Sequence, residues 1–289
     1  MALSTRRKFL QLAAGVAATG ALALGEDSIV VEPNQPVLIA KEIVLPRLPS
    51  AFDGFTIAQL RDFHYDEHAA VPIKAAIEIV NRLHPDVVVL TGDFVTVPPF
   101  HHHFRYGTRS SSAAEPCAQL LTQLQPRLGI VSVLGNHDVD ADAPRIIGIL
   151  DAHGLPVLRN RSIAVEQRGS RIWLCGLDSL SDGDPDIDLA LQDVPSQELV
   201  ILLVHEPDFA DEAASHPVDL QLSGHSHGGQ IWLPGIGAPW LPKYARKYPR
   251  GLHRIGPLTL YTNMGLGTIR LPVRLNCPPE VTLFTLRCA

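Results

Sequence analysis

Short apolar runs separated by polar clusters recur along the chain, and this alternation predicts most of its secondary structure. Runs rich in β-branched residues and bounded by glycine, proline or polar residues are typical of β-strands. The pattern predicts strands at residues 28–31, 37–45, 55–60, 86–90, 129–134, 163–166, 171–177, 199–204, 218–222, 258–262 and 281–286. The valine-rich run at 86–90 is typical of a strand buried on both faces.

Helical periodicity occurs between several of these strands. Apolar residues at positions 71, 75, 79 and 80 or 83 repeat with a helical period, and Pro85 ends the helix. Two further helices are predicted near residues 113–124 and 144–153, and residues 230–257 are expected to form a loop. No internal repeat, low-complexity tract or linker divides residues 26–289, so we expect one α/β domain.

Polar clusters follow five of the predicted strands, where an open α/β sheet assembles a site from distant parts of the chain. The candidate site residues are Asp62, His64, Asp93, Asn136, His137, His205, His225 and His227. Each of them alone has an ordinary structural explanation, such as a capped turn. Together their carboxylates, imidazoles and amide suit Mn, Fe or Zn, and they are numerous enough for two ions. Asp93 is the natural bridge, because a carboxylate can span ions about 3.5 to 4 Å apart.

The stretch from Gly224 to Gly228 fits two different chemistries. As G-x-S-x-G it fits the nucleophile elbow of serine hydrolases, and as G-H-x-H it fits a pair of metal ligands. An elbow needs a helix after the serine and then an acid followed by a histidine. Beyond residue 229 the only acidic residue, Glu280, comes after the only histidine, His253. This order favours the metal-ligand interpretation, with Ser226 as a small spacer.

The clusters form an ordered series: Asp62-Phe63-His64, Gly92-Asp93, Gly135-Asn136-His137-Asp138, His205 and Gly224-His225-Ser226-His227. This series resembles the signature of the calcineurin-like metallophosphoesterase superfamily, D-x-H, G-D, G-N-H-D/E, H and G-H-x-H. The resemblance covers essentially all of residues 26–289. More narrowly, several further residues resemble an exported or membrane-associated bacterial branch of this superfamily. They are Gly228-Gly229-Gln230, Met264-Gly265-Leu266-Gly267-Thr268, Pro272, Arg274 and Pro279-Glu280.

The resemblance implies a fold and a role for each site residue. The fold would be α/β, with two mixed β-sheets packed as a sandwich flanked by helices. The implied ligands are Asp62, His64, Asp93 and His227 for the first metal, and Asp93, Asn136, His205 and His225 for the second. His137 would stabilise the transferring phosphoryl group or protonate the leaving oxygen, and Asp138 would orient its ring. A hydroxide bridging two divalent or mixed-valence ions (Mn, Fe or Zn) would attack phosphorus in line with the leaving group.

Residues 1–25 differ from the rest of the chain. Basic residues at positions 6–8 precede an apolar run at 9–24, which is shorter than the roughly 20 residues of a membrane span and ends among small residues. This arrangement is typical of a cleaved signal peptide. Residues 5–10 resemble a twin-arginine signal, which implies passage through the twin-arginine export machinery to the periplasm or cell envelope. The alternatives are a general secretory signal with a chance arginine pair and an uncleaved membrane anchor.

Net charge limits the kinds of binding partner that the sequence suggests, and the cysteines indicate whether disulfides are expected. The chain has 24 Lys and Arg against 30 Asp and Glu, a net charge of −6. Removing residues 1–25 takes away three basic residues and no acidic ones, which leaves a net charge of about −9. This balance does not favour a nucleic-acid partner or an anionic membrane. The cysteines at 117, 175, 277 and 288 form no C-x-x-C motif, and buried thiols, Cys175 above all, are favoured over one or two disulfides.

Three weaker features are open to more than one interpretation. Arg61 stands where many relatives carry serine, so its cation either reaches the site or points to solvent. His101–His103 have the chemistry for an extra metal, but the flanking prolines predict an exposed loop. Residues Lys243–Arg250, with Trp232 and Trp240, form a basic-aromatic patch. The patch either faces an anionic phosphorylated substrate or membrane headgroups, or is only the solvated rim of a loop.

The sequence predicts an exported dimetal phosphoesterase that hydrolyses phosphodiester or pyrophosphate-type bonds. Its expected substrate is a phosphorylated small molecule or a lipid-linked compound, with peripheral contact to the membrane or cell wall and no nucleic acid. One alternative is a metal-loaded cell-envelope binding protein with vestigial activity, against which the intact His137 argues. Another is a hydrolase of a nucleotide-linked lipid intermediate, against which export from the cytoplasm argues.

Overall fold

The computed structural model describes residues 24–98 and 110–289, together with single positions 9, 11 and 19. Most of the predicted signal peptide and the histidines at 101–103 therefore lie outside the described residues. Within the described part of the chain, none of the helices has the length and apolar character needed to cross a membrane.

Eleven strands form two mixed sheets in the described residues. The first sheet contains, in spatial order, β1 (Val37–Leu45), β11 (Glu280–Cys288), β2 (Thr56–Leu60), β3 (Val87–Thr91) and β4 (Gly129–Val133). The second contains β5 (Arg161–Gln167), β6 (Ser170–Gly176), β7 (Leu199–Leu203), β8 (Leu220–Ser223), β10 (Leu258–Thr262) and β9 (Gly251–Ile255). The pairs β2–β11, β5–β6 and β9–β10 are antiparallel, and the other pairs are parallel.

Helices flank the two sheets. The α-helices are α1 (Ala70–Leu83), α2 (Ala114–Leu121), α3 (Asn136–Ala152), α4 (Ile187–Leu191) and α5 (Ala210–Ala213). Shorter helical turns are found at Asp27–Val31, Glu32–Asn34, Ser50–Phe52, Pro207–Phe209 and His227–Gly229. Two packed mixed sheets with outer helices are the predicted fold class, which the structure confirms.

The central strands are buried on both faces, and their side chains alternate between two cores. In β3, Val87 and Val89 join the core between the sheets, whereas Val88 and Leu90 join the core beneath α1 and α2. The strand β7 repeats this alternation between the inter-sheet core and the core beneath α4 and α5. The sandwich interior thus fixes the two sheets against each other, since successive side chains of a strand point to opposite faces.

Three elements differ from the prediction. Residues 28–31 are helical rather than extended, because the Ser28 carbonyl accepts a hydrogen bond from the Arg274 amide and none of the strands in the described residues pairs with them. Residues 251–255, predicted as loop, form the edge strand β9 paired with β10. Helix α3 begins at Asn136, directly after the polar cluster, and continues through a kink before Pro144, where the sequence pattern placed its start.

Candidate metal centre

The candidate residues lie after the carboxyl ends of strands in both sheets. The first sheet supplies Asp62 and His64 after β2, Asp93 after β3, and Asn136, His137 and Asp138 after β4. The second sheet supplies His205 after β7, and His225 and His227 after β8. The two halves of the sandwich therefore contribute side chains to one cluster.

The backbone of this cluster is held in an uncommon conformation. Five predicted ligands have φ between +42° and +68°: Asp62, His64, Asp93, His225 and His227. Non-glycine residues persist there only where the surroundings enforce it, and such positions concentrate at functional sites. The packing is close, because a Cβ on Gly135 would collide with the Asp93 carboxylate and one on Gly92 would collide with the backbone of Gly135.

The first trio of potential ligands is Asp62, His64 and His227. All three are buried, and one ligand atom of each lies within 4.8 Å of the others. The Nε2 atoms of His64 and His227 are 3.0 Å apart. His227 Nε2 is 3.7 Å from the nearer carboxylate oxygen of Asp62.

The second trio is Asp93, His205 and His225, whose ligand atoms also lie within 4.8 Å of one another. Asp93 Oδ2 is 3.1 Å from His205 Nε2, and the rings of His205 and His225 have centroids 5.0 Å apart. The same Asp93 oxygen lies 3.4 Å from His64 Nε2 in the first trio. Asp93 therefore stands between the two trios, as a bridging carboxylate would.

Asn136 adds an amide oxygen to the cluster. Its Oδ1 atom is buried and has no hydrogen-bond partner among the described residues. Its side chain interacts with the Asp182 carboxylate, which lies in the loop after β6. Because a carboxylate can only accept, the amide nitrogen of Asn136 faces Asp182 and its oxygen stays available for a cation.

The ring orientations of three histidines are fixed by hydrogen bonds from outside the cluster. His64 Nδ1 lies 3.0 Å from Thr96 Oγ1, His205 Nδ1 lies 2.8 Å from the Thr91 carbonyl oxygen, and His225 Nε2 lies 2.9 Å from the Lys243 carbonyl oxygen. Each ring keeps its other nitrogen for the cluster. Outer hydrogen bonds of this kind set the tautomer and aim of metal-binding histidines.

The Asp138 side chain contacts backbone amides and not the His137 ring that the resemblance implies as its partner. Its carboxylate accepts hydrogen bonds from the backbone amides of Asp93, Phe94 and Val95 at 2.8, 2.8 and 3.2 Å, and from that of Gly135 at 2.9 Å. Burial, reinforced by Asp93, raises the pKa of Asp138 to about 7. The carboxylate thus holds the loop that carries Asp93, and its hydrogen bonds in the described residues go to these amides rather than to the His137 ring.

His137 is held by a different group. The Val97 backbone amide donates to His137 Nδ1 at 3.0 Å, so the neutral ring carries its proton on Nε2. The ring lies edge-on to His64, with centroids 5.0 Å apart, and His137 is half-buried at the margin of the cluster. The His137 backbone amide donates to Asp93 Oδ1 at 3.0 Å. The side chain can therefore present an N–H donor to a substrate beside the ligands.

Arg61 is fully buried, which excludes the solvent-facing alternative. Its guanidinium forms an ion pair with the Asp62 carboxylate and occupies space that exists because Gly224 has no side chain. Burial lowers the pKa of Arg61, against the opposing effect of Asp62. A second cationic group, besides any bound metal, therefore lies directly behind the first trio.

A second buried arginine supports the loop beneath Asp62. Arg274 donates to the carbonyl oxygens of Met264, Gly265, Gly267 and Cys277 at 2.6 to 3.2 Å. In return, the amides of this loop donate to the Arg61 and Asp62 carbonyl oxygens. The residues that resembled a particular bacterial branch thus form the floor of the site.

The chemistry of the cluster fits divalent cations. Asp62 Oδ1 and Asn136 Oδ1 are buried and lack hydrogen-bond partners among the described residues. Burial lowers the pKa of His64 to about 3 and that of His225 to about 4, which favours the neutral imidazole that metals bind. Buried polar atoms without partners are costly, and bound cations would satisfy them.

The carboxylates of the cluster have opposite electrostatic surroundings. Burial raises the pKa of Asp62 to about 6. Burial acts in the same direction on Asp93, but the facing imidazoles, His205 first, outweigh it and hold the pKa of Asp93 well below its usual range. The same partnership raises the pKa of His205 to about 10 although burial opposes it. Asp93 is therefore the group most firmly held as a carboxylate at the centre of the cluster.

The comparisons with known proteins agree with this geometry. The model of the calcineurin-like phosphoesterase family matches residues 55–229. The chain belongs to this family. The chain is 36% identical to metallophosphoesterase YkuE of Bacillus subtilis over 98% of each chain. It is 30% identical to phosphodiesterase YaeI of Escherichia coli over 98% of this chain and 99% of YaeI.

The family and the fold confirm the predicted superfamily and the assignment as a metal-dependent phosphohydrolase. The narrower bacterial branch, the division of ligands between two ions and the identity of the ions stay predictions. All four cysteines of the metallophosphoesterase are free thiols, and Cys175 is buried as expected. Sequence reasoning missed Asp182, although it lies in a polar cluster at a strand end, the same signal that found the ligands. Thr96 gave no signal.

Proposed function

We propose that the protein is an exported dimetal phosphoesterase that hydrolyses phosphodiester or pyrophosphate-type bonds of a phosphorylated small-molecule or lipid-linked substrate. The position of Asp93 carries the proposal. Its Oδ2 atom lies 3.4 Å from His64 Nε2 and 3.1 Å from His205 Nε2, between two trios of potential ligands. A carboxylate in this position is suited to bridging two ions.

The ligand sets follow the two trios. The first ion would be held by Asp62, His64, Asp93 and His227, and the second by Asp93, Asn136, His205 and His225. When bound, Mn, Fe or Zn ions supply Lewis-acid activation of water and neutralise charge on the phosphoryl oxygens. Asp138 holds the loop of Asp93 in place, and Asp182 would direct the amide oxygen of Asn136 into the site.

His137 would act on the substrate directly. Because Val97 donates to Nδ1, the Nε2–H group is the one available to a phosphoryl or leaving-group oxygen. That hydrogen bond stabilises charge that develops on oxygen as the phosphorus–oxygen bond breaks, and transfer of the proton completes departure of the leaving group.

The preference for diesters is supported by one relative. YaeI, which matches nearly the whole chain, is described as a phosphodiesterase. Export is supported by residues 1–25, where a basic segment precedes an apolar run and resembles a twin-arginine signal. That export machinery accepts folded proteins, so the metals would be bound before transport.

Metal analysis combined with a substrate panel tests the proposed chemistry. We expect two ions per chain and faster turnover on bis(p-nitrophenyl) phosphate than on p-nitrophenyl phosphate, with a lipid-linked pyrophosphate as the third substrate. Asp93→Asn should lose turnover and bound metal, because it weakens the shared ligand, whereas the exposed control Asp193→Asn should keep both. Two bound metals without turnover on any phosphoester would instead indicate a binding protein, and a preference for the monoester would contradict the diester assignment.

Cell fractionation tests the export route. Replacing Arg6 and Arg7 together by lysine should leave the protein in the cytoplasm, whereas the control Lys8→Gln should still reach the periplasm. Unchanged export of the double-lysine variant would reject the twin-arginine route without affecting the proposed chemistry.

A further inference from the structure

One segment of this acidic protein carries basic residues and no acidic ones. Residues 230–279 contain seven Lys and Arg and no Asp or Glu, whereas the whole chain has 24 basic and 30 acidic residues. Two of the seven are already engaged, since Arg274 is buried and Lys247 is paired with Asp211 at 2.6 Å. The predicted Lys243–Arg250 patch is therefore partly neutralised, and the Asp208 carboxylate also faces it, since it accepts hydrogen bonds from the Arg246 and Lys247 amides.

Several of the remaining cations lie against aromatic rings. The guanidinium carbon of Arg250 is 3.6 Å from the ring centroid of Trp232, and that of Arg270 is 4.5 Å from the ring centroid of Trp240. Arg270 and Trp240 are both exposed. A surface that combines arginine with tryptophan has an apolar body and a charged edge, which suits the interface between water and lipid.

Three apolar side chains project from the same segment. Ile236, Trp240 and Leu271, here called the apolar rim, have 79%, 49% and 63% of their surface exposed. They lie on two loops that the structure holds together: Gln230 Nε2 donates to the Leu271 and Val273 carbonyl oxygens, and Gly229 packs against Ala238. Large apolar side chains gathered in this way mark interaction sites more often than singly exposed ones do.

The apolar rim lies beside the metal centre. The Gln230 amide donates to the His227 carbonyl oxygen, and Trp240 lies on the segment whose backbone contacts Gly229. Whatever covers the apolar rim therefore also approaches the candidate ligands.

The N-terminal segment meets the same loop. The Arg274 amide donates to the Ser28 carbonyl oxygen, and the amides of Asn276 and Cys277 donate to the Glu32 carboxylate. Residues 29–31 between these contacts expose apolar side chains, and the apolar run at 9–24 precedes them in the sequence. The exposed apolar residues 29–31 and the apolar rim thus both adjoin the loop at 269–277.

We propose that the apolar rim and Arg270 dock on the surface of a lipid bilayer that carries anionic headgroups. The apolar side chains would enter the boundary between headgroups and acyl chains, while Arg270 and the neighbouring cations contact the lipid phosphates. The docked metal centre then faces the headgroup layer. This inference concerns the surface beside the site and holds whichever phosphoester the site accepts.

A local probe distinguishes docking of the apolar rim from insertion of the N-terminal segment. In the full chain with Cys288→Ser, Ile236→Cys is labelled with nitrobenzoxadiazole; the other native cysteines are buried. The control label is at Leu128→Cys, which is 54% exposed and lies at the amino end of β4, the end of the sheet opposite the site. Vesicles of phosphatidylcholine with and without phosphatidylglycerol are then added.

We expect a brighter, blue-shifted signal at position 236 with phosphatidylglycerol vesicles and no change at position 128. Arg270→Ser should weaken vesicle binding about fivefold, the effect of one basic residue at an anionic surface. Trp240→Ser and Leu271→Ser together should abolish the signal at position 236, while turnover on a soluble diester stays unchanged. No signal at position 236 would overturn the proposal. A signal at position 236 that persists in the Trp240→Ser and Leu271→Ser variant and without anionic lipid would also overturn the proposal. Such a signal would arise from the N-terminal segment alone.

Discussion

Replacing Arg274 by methionine tests whether a buried cation supports the floor of the site. The side chain is fully buried and makes four hydrogen bonds, to the carbonyl oxygens of Met264, Gly265, Gly267 and Cys277. Burial lowers its pKa to about 10, so the guanidinium is charged at neutral pH. Methionine has a similar volume but can donate to none of the four oxygens.

The magnitude follows from two opposing effects. Hydrogen bonds to a charged group contribute about 1.5 to 3 kcal/mol each, and their loss leaves buried carbonyl oxygens with fewer partners, although that of Gly265 still accepts from the Glu280 amide. Removing the cation also removes its desolvation cost, which offsets much of that sum. We therefore expect Arg274→Met to lower the free energy of unfolding by about 3 to 5 kcal/mol, a large part of the roughly 5 to 15 kcal/mol typical of a domain.

Urea unfolding of the metal-free full chain, followed by tryptophan fluorescence, measures this change. The control Arg254→Met removes an exposed arginine from β9 and should alter the unfolding free energy by less than about 0.5 kcal/mol. Because the loop at 264–267 contacts Arg61 and Asp62, Arg274→Met should also weaken metal binding at least about tenfold. A loss of less than about 1 kcal/mol with unchanged metal affinity would show that Arg274 does not support the site.

Three further variants probe single contacts. His137→Ala should lower diester turnover about 10²- to 10⁴-fold while the bound metal is retained, because it removes a donor and not a ligand; turnover and metal content are measured together. Gly224→Ala should reduce activity because its Cβ collides with Arg61, and Arg61→Ser in the same chain should restore part of it; turnover of the single and double variants is compared. Asp182→Ala should weaken metal binding about 10- to 100-fold, because Asn136 loses the partner that orients its amide, and metal titration measures the change.

Matched controls separate these effects from general damage. His216→Ala alters a histidine far from the cluster and should leave turnover unchanged. Gly148→Ala adds a methyl group in open space within α3 and should be tolerated. Asp184→Ala removes an exposed carboxylate two residues from Asp182. Loss of metal in His137→Ala would contradict the role of His137 as a donor that is not a ligand. If the effects of Gly224→Ala and Arg61→Ser simply add, the proposed collision between the two positions is contradicted. Equal metal affinity in Asp182→Ala and Asp184→Ala would contradict the contact between Asp182 and Asn136.

Much of the site followed from strand ends and spacing. Asp62 and Asp93 stand just after apolar strands, and parallel strands bring their carboxyl ends to one edge, so proximity was predictable. The conformation of Asp138 was not, because its position beside His137 in the sequence says nothing about which amides its carboxylate meets. Arg61 was ambiguous for a related reason: burial of its cation depends on Gly224, which is distant in sequence.

Errors in secondary structure arose where tertiary contacts override local preference. The residues at 28–31 suit a strand, but their backbone is tied to Arg274, and none of the strands that the structure describes pairs with it. The edge strand at 251–255 was hidden by neighbouring prolines and glycines and exists because β10 offers an antiparallel partner. A local sequence pattern predicts a strand well only where the strands that pair with it can also be recognised from the sequence nearby.

The division of the predicted ligands between the two sheets means that the metal centre also connects the two sheets. Asp62, His64, Asp93 and Asn136 belong to one sheet, while His205, His225 and His227 belong to the other. Bound ions would therefore cross-link the halves of the sandwich, much as a disulfide joins two segments. Full metal affinity can develop only after the two sheets have packed together, so metal uptake during refolding reports their assembly. A chelator that removes the ions should weaken the contact between the two sheets.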